Sequence, residues 1–495
     1  MKKDNRLYIT LCTIMMVLLF LPLTQQLTGW VKVKVLHGAV AEVEKPKLTF
    51  DSYKDLSYQS QLENYAAAHF GFREPVIRIY NQYLWSCFRK TYAAEVVVGR
   101  DKWLYGKKSL NDYCHRVAYE YAEDNEALVQ KFEKELALLK KVQLLLDKHG
   151  TKLFVLICPN KDDVYPEHHP KHGVARGDGM RAIDYYPKAF EENGINFLDV
   201  HTWFQQIKDT VSYPLFTHSG MHWSNIACAY ASDSIFRYME QLTGKNMPNI
   251  SYGSKYQADP IYPDRDLEQT MNLLWKIKPL DYYYVHIDVV PDSTAQKLNL
   301  ITIGDSFFWN MYYSLPMDKF FETYRYWYYF SSVFFDPNHN HVSQINLIEE
   351  LNRADVVMIS LCTTQLYEIN HGFLSQALIQ LSSNNPDNME EILNYIKHKM
   401  KTNSTWFESL KQKAEKQGKT LEQVMDADAR YVFNQNPGKY MMNTTVERIK
   451  NAMRDNPVWF EDLQQKALKK GKDLEQLMND EAIYLINQNP ERYLK

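Results

Sequence analysis

The chain has 495 residues, a formal net charge of −3 at pH 7 and 45% hydrophobic residues. This length predicts two or three domains, and the near-neutral charge gives no indication of a nucleic-acid or anionic-surface partner. The six cysteines are scattered and include no Cys-x-x-Cys pair. The sequence therefore predicts neither a metal-binding framework nor a dense disulfide scaffold.

An uncharged stretch at 7–31 follows a short basic segment at the N-terminus. It is long enough to cross a bilayer, and its positive flank places the N-terminus in the cytoplasm. We expect a single-pass membrane anchor over 1–31, which leaves 32–495 extracytoplasmic, in the periplasm or at the cell surface. A cleaved signal peptide is the alternative, although the small residues at 39–41 lie far beyond the apolar region.

Apolar, strand-like segments alternate with helix-like segments through the middle of the chain. The sequence predicts an amphipathic helix at 125–149 and buried strands at 153–158, 195–200, 298–303 and 355–361. Strands that alternate with helices are typical of a parallel sheet that is covered by helices on both faces. We therefore predict an α/β fold for this part of the chain.

Gly304, Asp305 and Ser306 directly follow the predicted strand at 298–303. The carboxyl end of a strand is where an α/β sheet presents reactive groups, and backbone N–H groups at the start of the next helix can stabilise an oxyanion. Ser306 is therefore a candidate nucleophile. The alternative is that Asp305 or Ser306 only caps the next helix, which is the commoner use of these residue types after a strand.

A loop at 216–224 contains His222 and Trp223 and precedes a helix-like run. A nucleophilic serine needs a nearby base, and histidine is the usual base near neutral pH. His222 is therefore a candidate base for Ser306. Without that serine, a loop or capping role is the simpler interpretation of this histidine.

Further candidates for the same cleft follow two other predicted strands. Asn160 and Lys161 come after the strand at 153–158, and Gln365 follows the strand at 355–361. The carboxyl ends of parallel strands lie at one edge of a sheet, so these side chains are placed to face Ser306. For Asn160 and Lys161, a solvated turn is the alternative.

The C-terminal part contains an internal repeat. Trp406-Phe407-Glu408 recurs 53 residues later as Trp459-Phe460-Glu461, and Asn434-Gln435-Asn436-Pro437 recurs at the same interval. Short repeats of this kind stack so that they bury a shared apolar seam. We predict an all-α domain of two repeats at 386–495, without catalytic residues.

Several of these stretches, taken in order, resemble one known family. The SGNH hydrolase-like proteins of the alginate O-acetylation type (AlgJ/AlgX-like) have similar landmarks in the same order. In this chain the landmarks are 70–73, 98–105, 155–161, the His222-Trp223 loop and Gly304-Asp305-Ser306. The resemblance implies an SGNH-like three-layer α/β/α fold with a parallel sheet at 32–385, between the anchor and the helical repeats.

The resemblance also implies roles for individual residues. Ser306 would carry an acyl group, His222 would be its base, and Trp223 would support the loop, while the Ser306 backbone N–H and Asn160 would form the oxyanion site. Alginate-type members orient the histidine with an Asp two residues earlier, where this chain has Gly220. The candidates for the orienting group are Asp305, which we take as the third catalytic residue, Asp199, His218 and a backbone carbonyl. The predicted substrate-binding residues are Asn160, Lys161, Trp223 and Gln365.

The function that the resemblance implies is an extracytoplasmic O-acetyltransferase. It would move acetyl groups onto hydroxyls of an exported or cell-surface polysaccharide beside a membrane-bound O-acyltransferase, and it would need neither a metal nor a dissociable cofactor. The same Ser/His site with water as acceptor would be a carbohydrate esterase. Gly220, the aromatic run at 320–335 and the C-terminal repeats motivate another hypothesis, a non-catalytic polysaccharide-binding or scaffold protein of an export assembly.

Overall fold

The computed structural model describes residues 2–38, 43–177, 179–278, 282–382, 386–435 and 437–488. The small residues at 39–41 and the predicted domain boundary at 385 lie outside these ranges. The described residues form an N-terminal helical segment, a mixed α/β body and an all-helical C-terminal region.

The N-terminal segment consists of helices α1 (Lys2–Thr28), α2 (Phe50–Lys54), α3 (Ser57–Ala68) and α4 (Arg73–Phe88). Within α1, the segment Arg6–Thr28 is strongly apolar, and its most apolar part is not buried against the rest of the described chain. This helix has the length and composition of a membrane span, and a signal sequence near an N-terminus would share both properties.

Strands in the described residues belong to three sheets. In chain order they are β1 (Val96–Val98), β2 (Leu104–Gly106), β3 (Lys152–Cys158), β4 (Phe197–Asp199), β5 (Asn249–Gln257), β6 (Tyr283–Val290), β7 (Leu298–Gly304), β8 (Phe321–Tyr328), β9 (Ser332–Phe334) and β10 (Val356–Cys362). Strands β1 and β2 form one antiparallel pair, and β5 and β6 form another. The remaining strands form a single sheet.

This central sheet has the strand order β4-β3-β10-β7-β8-β9. Its neighbours pair in parallel, except that β9 is antiparallel to β8. The predicted α/β fold is confirmed, with one antiparallel edge strand that the sequence analysis did not identify. The aromatic run at 320–335 forms β8, the turn and β9. Its weak alternation is explained by burial on both faces, since the adjacent Tyr326 and Trp327 are both fully buried.

Helices cover both faces of the central sheet. In chain order, the helices of the α/β body are α5 (Lys107–Tyr113), α6 (Asn125–Lys148), α7 (Lys161–Val164), α8 (Ala182–Asn193), α9 (Val200–Ile207), α10 (Asn225–Thr243), α11 (Asp266–Thr270), α12 (Phe308–Ser314), α13 (Met317–Phe320), α14 (Leu347–Arg353) and α15 (Phe373–Ser382). Of these, α11 packs against the β1–β2 pair instead of the central sheet. Alternate residues of β3 enter opposite cores. Val155 packs with α6, α8 and α15, whereas Phe154 packs with α9, α10 and α12. The sheet is therefore the middle layer of three, as predicted.

The C-terminal region consists of α16 (Pro386–Thr402), α17 (Ser404–Gln417), α18 (Leu421–Gln435), α19 (Pro437–Asp455), α20 (Pro457–Lys470) and α21 (Leu474–Gln488). These helices share a separate apolar core. Asn403 caps α17 and Asn456 caps α20 with the same side-chain hydrogen bond, which follows from the repeat. The all-helical character of this region is confirmed, and its division into two repeats stays a prediction.

Candidate active site

Ser306 lies in the turn between β7 and α12, at the carboxyl end of a strand in the middle of the sheet. The turn begins at Gly304, whose backbone packs against the neighbouring strand β10. A Cβ atom at this position would lie 1.9 Å from the carbonyl oxygen of Ser360. Glycine is therefore required here, because any side chain would push β7 and β10 apart just before the candidate nucleophile.

We expect Gly304→Ala to destabilise the fold by about 3 kcal/mol, because the added methyl group cannot be accommodated without moving a buried strand. Thermal or denaturant unfolding measures this loss. Gly179→Ala is the matched control, since a Cβ there meets its nearest atom at an ordinary 3.5 Å. Equal stability of the two variants would contradict the assigned packing.

His222 lies in a loop whose ends are joined by a bridge between Phe216 and Trp223. Ser224 follows and caps α10, so the loop is fixed at both sides. The Nε2 atom of His222 lies 2.7 Å from the hydroxyl oxygen of Ser306. The imidazole is 2% exposed and packs on the ring of Phe307, with 4.6 Å between the ring centroids.

Asp266, the first residue of α11, contacts the other side of the imidazole. Its Oδ2 atom lies 2.7 Å from Nδ1 of His222. Its Oδ1 atom accepts hydrogen bonds from the backbone N–H groups of Met221 and Leu267, each at 2.8 Å. Hydroxyl, imidazole and carboxylate therefore lie in one hydrogen-bonded row, which is the arrangement of a serine–histidine–acid triad.

The structure corrects the predicted third member of this row. Asp305 is buried, and its two oxygens accept hydrogen bonds from Phe307 N at 3.0 Å and Cys362 N at 2.7 Å, whereas Asp266 occupies Nδ1 of His222. Burial raises the pKa of this carboxyl group. Asp305 thus fastens the turn to the end of β10. The alternatives are also placed elsewhere, since Asp199 caps α9 and the His218 ring packs towards Tyr282.

Gly220 explains why the acid comes from a distant segment. A Cβ atom at this position would lie 2.7 Å from the Asp264 carbonyl oxygen and 2.8 Å from the Thr217 hydroxyl oxygen. An aspartate therefore does not fit at position 220 without movement of the backbone. Asp266 was missed because it lies 44 residues after His222 in sequence. The local signal that could have found it is its position at the start of the short helix α11.

A cavity of about 120 Å³ opens at Ser306. Of the predicted site residues, Asn160, Asp305 and Gln365 line it with Ser306. Sequence reasoning missed the other lining residues, which are Lys108, Ser109, Met221, Phe307, Tyr329, Cys362, Thr363 and Thr364. The amide of Asn160 is already engaged, because Oδ1 accepts from the Ser109 hydroxyl at 2.6 Å and Nδ2 donates to Asp163 at 3.2 Å.

Lys161 and Trp223 do not line the cavity, although both were predicted to bind substrate. The Nζ atom of Lys161 lies 2.7–3.1 Å from four carbonyl oxygens, those of Leu104, Thr217, His218 and Gly220. Burial lowers the pKa of this amine to about 7. Trp223 is buried and donates its indole N–H to the Phe307 carbonyl at 3.2 Å. Both side chains therefore hold the His222 loop in place, and their contact with a substrate stays a prediction.

Asp264 connects α11 to α10, because its carboxylate accepts a hydrogen bond from Asn225 N at 2.9 Å. Burial raises the pKa of Asp264 from an ordinary 3.8 to about 7. A raised acid pKa in the folded state means that stability is fully present below about pH 4 and is lost as the pH rises towards 7. The Asp264 carboxyl group therefore makes the stability of the fold depend on pH between about 4 and 7.

We expect the wild-type chain to lose about 2–3 kcal/mol of unfolding free energy between pH 5 and pH 8 through this group. Asp264→Asn should remove that part of the dependence, because an amide does not ionise. Denaturant unfolding at the two pH values measures it, with Asp209→Asn at an exposed position as control. An unchanged pH dependence in Asp264→Asn would contradict the raised pKa.

Comparison with known proteins relates part of the chain to one family. Residues 96–302 match the family described as "SGNH hydrolase-like domain, acetyltransferase AlgX". The chain is 26% identical over 202 residues to the probable alginate O-acetylase AlgJ of Pseudomonas aeruginosa. This alignment covers 40% of the chain and 44% of that relative, so the chain spans less than half of the relative's length. Ser306 lies just beyond the matched residues.

Among solved structures, the O-acetyltransferase domain of Pseudomonas putida AlgJ is 16% identical with a TM-score of 0.36, over 57% of this chain and 98% of that one. Pseudomonas aeruginosa AlgX is 12% identical with a TM-score of 0.38, over 57% and 65% of the two chains. Bacillus cereus PatB1 is 10% identical with a TM-score of 0.32, over 55% and 96%. Over 96–302, this chain is therefore similar to the SGNH hydrolase-like domain of the AlgX acetyltransferase family.

Proposed function

We propose that this chain is an O-acetyltransferase that moves acetyl groups onto hydroxyls of an exported or cell-surface polysaccharide through Ser306. The single observation that carries the proposal is the hydrogen-bonded row of Ser306, His222 and Asp266, with 2.7 Å at each contact of the imidazole. The cavity beside Ser306 gives an acyl group access to the hydroxyl oxygen. The family match over 96–302 supports acetyl transfer as the chemistry.

In the first half of the reaction, Ser306 attacks the carbonyl carbon of an acetyl ester. His222 takes the hydroxyl proton as the Oγ–C bond forms, and the imidazolium then gives that proton to the leaving oxygen as the ester C–O bond breaks. Asp266 favours this step because its negative charge stabilises the imidazolium and fixes Nδ1 as the protonated nitrogen. The product is an acetyl ester on Ser306 and the free alcohol of the donor.

In the second half, a sugar hydroxyl enters the cavity and His222 accepts its proton. The sugar oxygen attacks the acetyl carbon, the Oγ–C bond breaks, and the proton returns to Ser306. The backbone N–H of Ser306 is the proposed oxyanion donor, since it lies in the turn that precedes α12. Asn160 would assist only after its amide exchanges the present bond to Asp163.

The proposal extends to the location of the protein. We propose that α1 anchors the chain in the cell membrane, that 32–495 are extracytoplasmic, and that a membrane-bound O-acyltransferase passes acetyl groups to Ser306. The apolar character of α1 supports this arrangement. The scaffold hypothesis loses one of its motives, because Asp266 supplies a carboxylate that the sequence pattern lacked at Gly220.

The proposal is tested with the full-length chain and p-nitrophenyl acetate as a surrogate donor. We expect intact-mass analysis to show one added acetyl group, which is lost from the protein when an acceptor oligosaccharide is added and is then found on the sugar. Release to water at the same rate with and without sugar would identify an esterase instead. An unacetylated, folded protein would favour the scaffold hypothesis.

A further inference from the structure

The outer face of α4 is apolar and exposed. Val76, Ile79, Tyr80 and Tyr83 are 54%, 58%, 47% and 53% exposed. Their spacing places them on one side of a helix, with the exposed Cys87 one turn further along. The opposite side of α4 faces the body. Such a continuous apolar stripe with no acidic residue is unusual for a surface that only meets water.

Helix α4 is joined closely to the region where α1 ends. A Cβ atom at Gly71, in the turn before α4, would lie 1.9 Å from the Pro22 carbonyl oxygen of α1. Pro22 lies six residues before the end of α1, about 9 Å along its axis. In addition, the guanidinium of Arg78 donates to the Val35 carbonyl at 2.7 Å, which ties α4 to the segment that leaves α1.

The loop after α11 is bonded to the same helix and is also apolar. The Gln82 side-chain oxygen accepts from the backbone N–H groups of Leu274 and Trp275, each at 3.1 Å. Trp275 is 69% exposed. Tyrosine and tryptophan with neighbouring basic residues are the side chains that favour the water–lipid boundary. The exposed Lys32 and Lys34 supply the basic charge in the segment between α1 and α4.

We propose that the outer face of α4 lies in the lipid headgroup region of the membrane that α1 spans. The contact of Gly71 with Pro22 limits how far this face can lie from the bilayer, and its tyrosines suit that depth. The inference rests on α1 as a span and does not depend on the chemistry at Ser306. It places α11, and with it Asp266, on the membrane-proximal side of the body.

The test uses the full-length chain with Cys12→Ser, in which a nitroxide spin label is attached to the exposed Cys87. After reconstitution in vesicles of phosphatidylcholine and phosphatidylglycerol, the label's collisions with lipid-soluble oxygen and with a water-soluble nickel chelate are compared. The control is Cys12→Ser/Cys87→Ser/Val458→Cys, labelled in α20 at a position that is 79% exposed. We expect the Cys87 label to prefer oxygen over nickel at least threefold more than the control label.

A second variant, Ile79→Asp/Tyr83→Asp, tests whether the apolar side chains of this face cause the contact with lipid. Both positions are exposed, so the fold should be retained, whereas charge on this face should release it from the headgroups and raise the label's collisions with nickel. A Cys87 label that meets nickel as freely as the control overturns the proposal. A label that is shielded from both reagents also overturns it, because a second copy of the chain would then cover the face.

Discussion

Replacing Ser306 by alanine is expected to lower the rate of acetyl transfer by about four to six orders of magnitude, because the attacking oxygen is removed while the fold is kept. Ser306 is only half-buried, so the loss of its hydroxyl should change the melting temperature little. The measurement is kcat/KM with p-nitrophenyl acetate, together with intact mass after incubation with a fluorophosphonate probe. The wild-type chain should gain one adduct and Ser306→Ala none.

His222→Ala should lose the same adduct, because the serine hydroxyl is a weak nucleophile without its base. Ser331→Ala, at an exposed serine in the turn between β8 and β9, is the matched control and should label like the wild type. An adduct that persists in Ser306→Ala would mean that another residue is the activated nucleophile. Wild-type protein that is folded and unlabelled would count against the proposed reaction.

Asp266→Asn is expected to lower kcat by about four orders of magnitude. The amide can keep a hydrogen bond to Nδ1 of His222, yet it cannot stabilise the imidazolium, and it can hold the ring in the wrong tautomer. The fold should be nearly as stable as the wild type, since Asp266 is partly exposed and its backbone contacts are retained. The kinetic constants and the melting temperature are measured on the same preparation.

Asp305→Asn, compared with Asp266→Asn, distinguishes a carboxylate that stabilises the turn from one that assists His222. Because the Asp305 carboxylate accepts two backbone N–H groups, an amide would turn a donor towards one of them and should lower the melting temperature clearly. Adding Gly220→Asp to Asp266→Asn should not restore activity, since position 220 has no room for a side chain. Restored activity in that double variant, or a larger kinetic loss in Asp305→Asn with the fold intact, would contradict the assignment of Asp266.

The local pattern of apolar residues was sufficient to predict the strands that carry the candidate site. The predicted strand at 298–303 corresponds to β7, and the one at 355–361 corresponds to β10, because a strand buried on both faces must be apolar at almost every residue. Residues after such strands lie at one sheet edge, so Ser306, Asn160 and Gln365 could be placed near one another without a structure. The C-terminal helices were predictable because the same residues recur at a fixed interval in the sequence, and such a recurrence indicates a repeated helical unit.

The positions of Asp266 and Lys161 were decided only by the tertiary structure. The carboxylate that contacts His222 belongs to Asp266 in α11. The amine of Lys161 does not line the cavity and donates to backbone carbonyl oxygens. The antiparallel edge strand β9 likewise depends on a tight turn within an aromatic run. The sequence by itself determined the apolar N-terminal helix, the α/β body and the candidate nucleophile and base, because these follow from local periodicity, strand ends and recognisable landmarks. Contacts between side chains far apart in the chain leave no such local pattern, so only the folded arrangement decided which carboxylate faces His222.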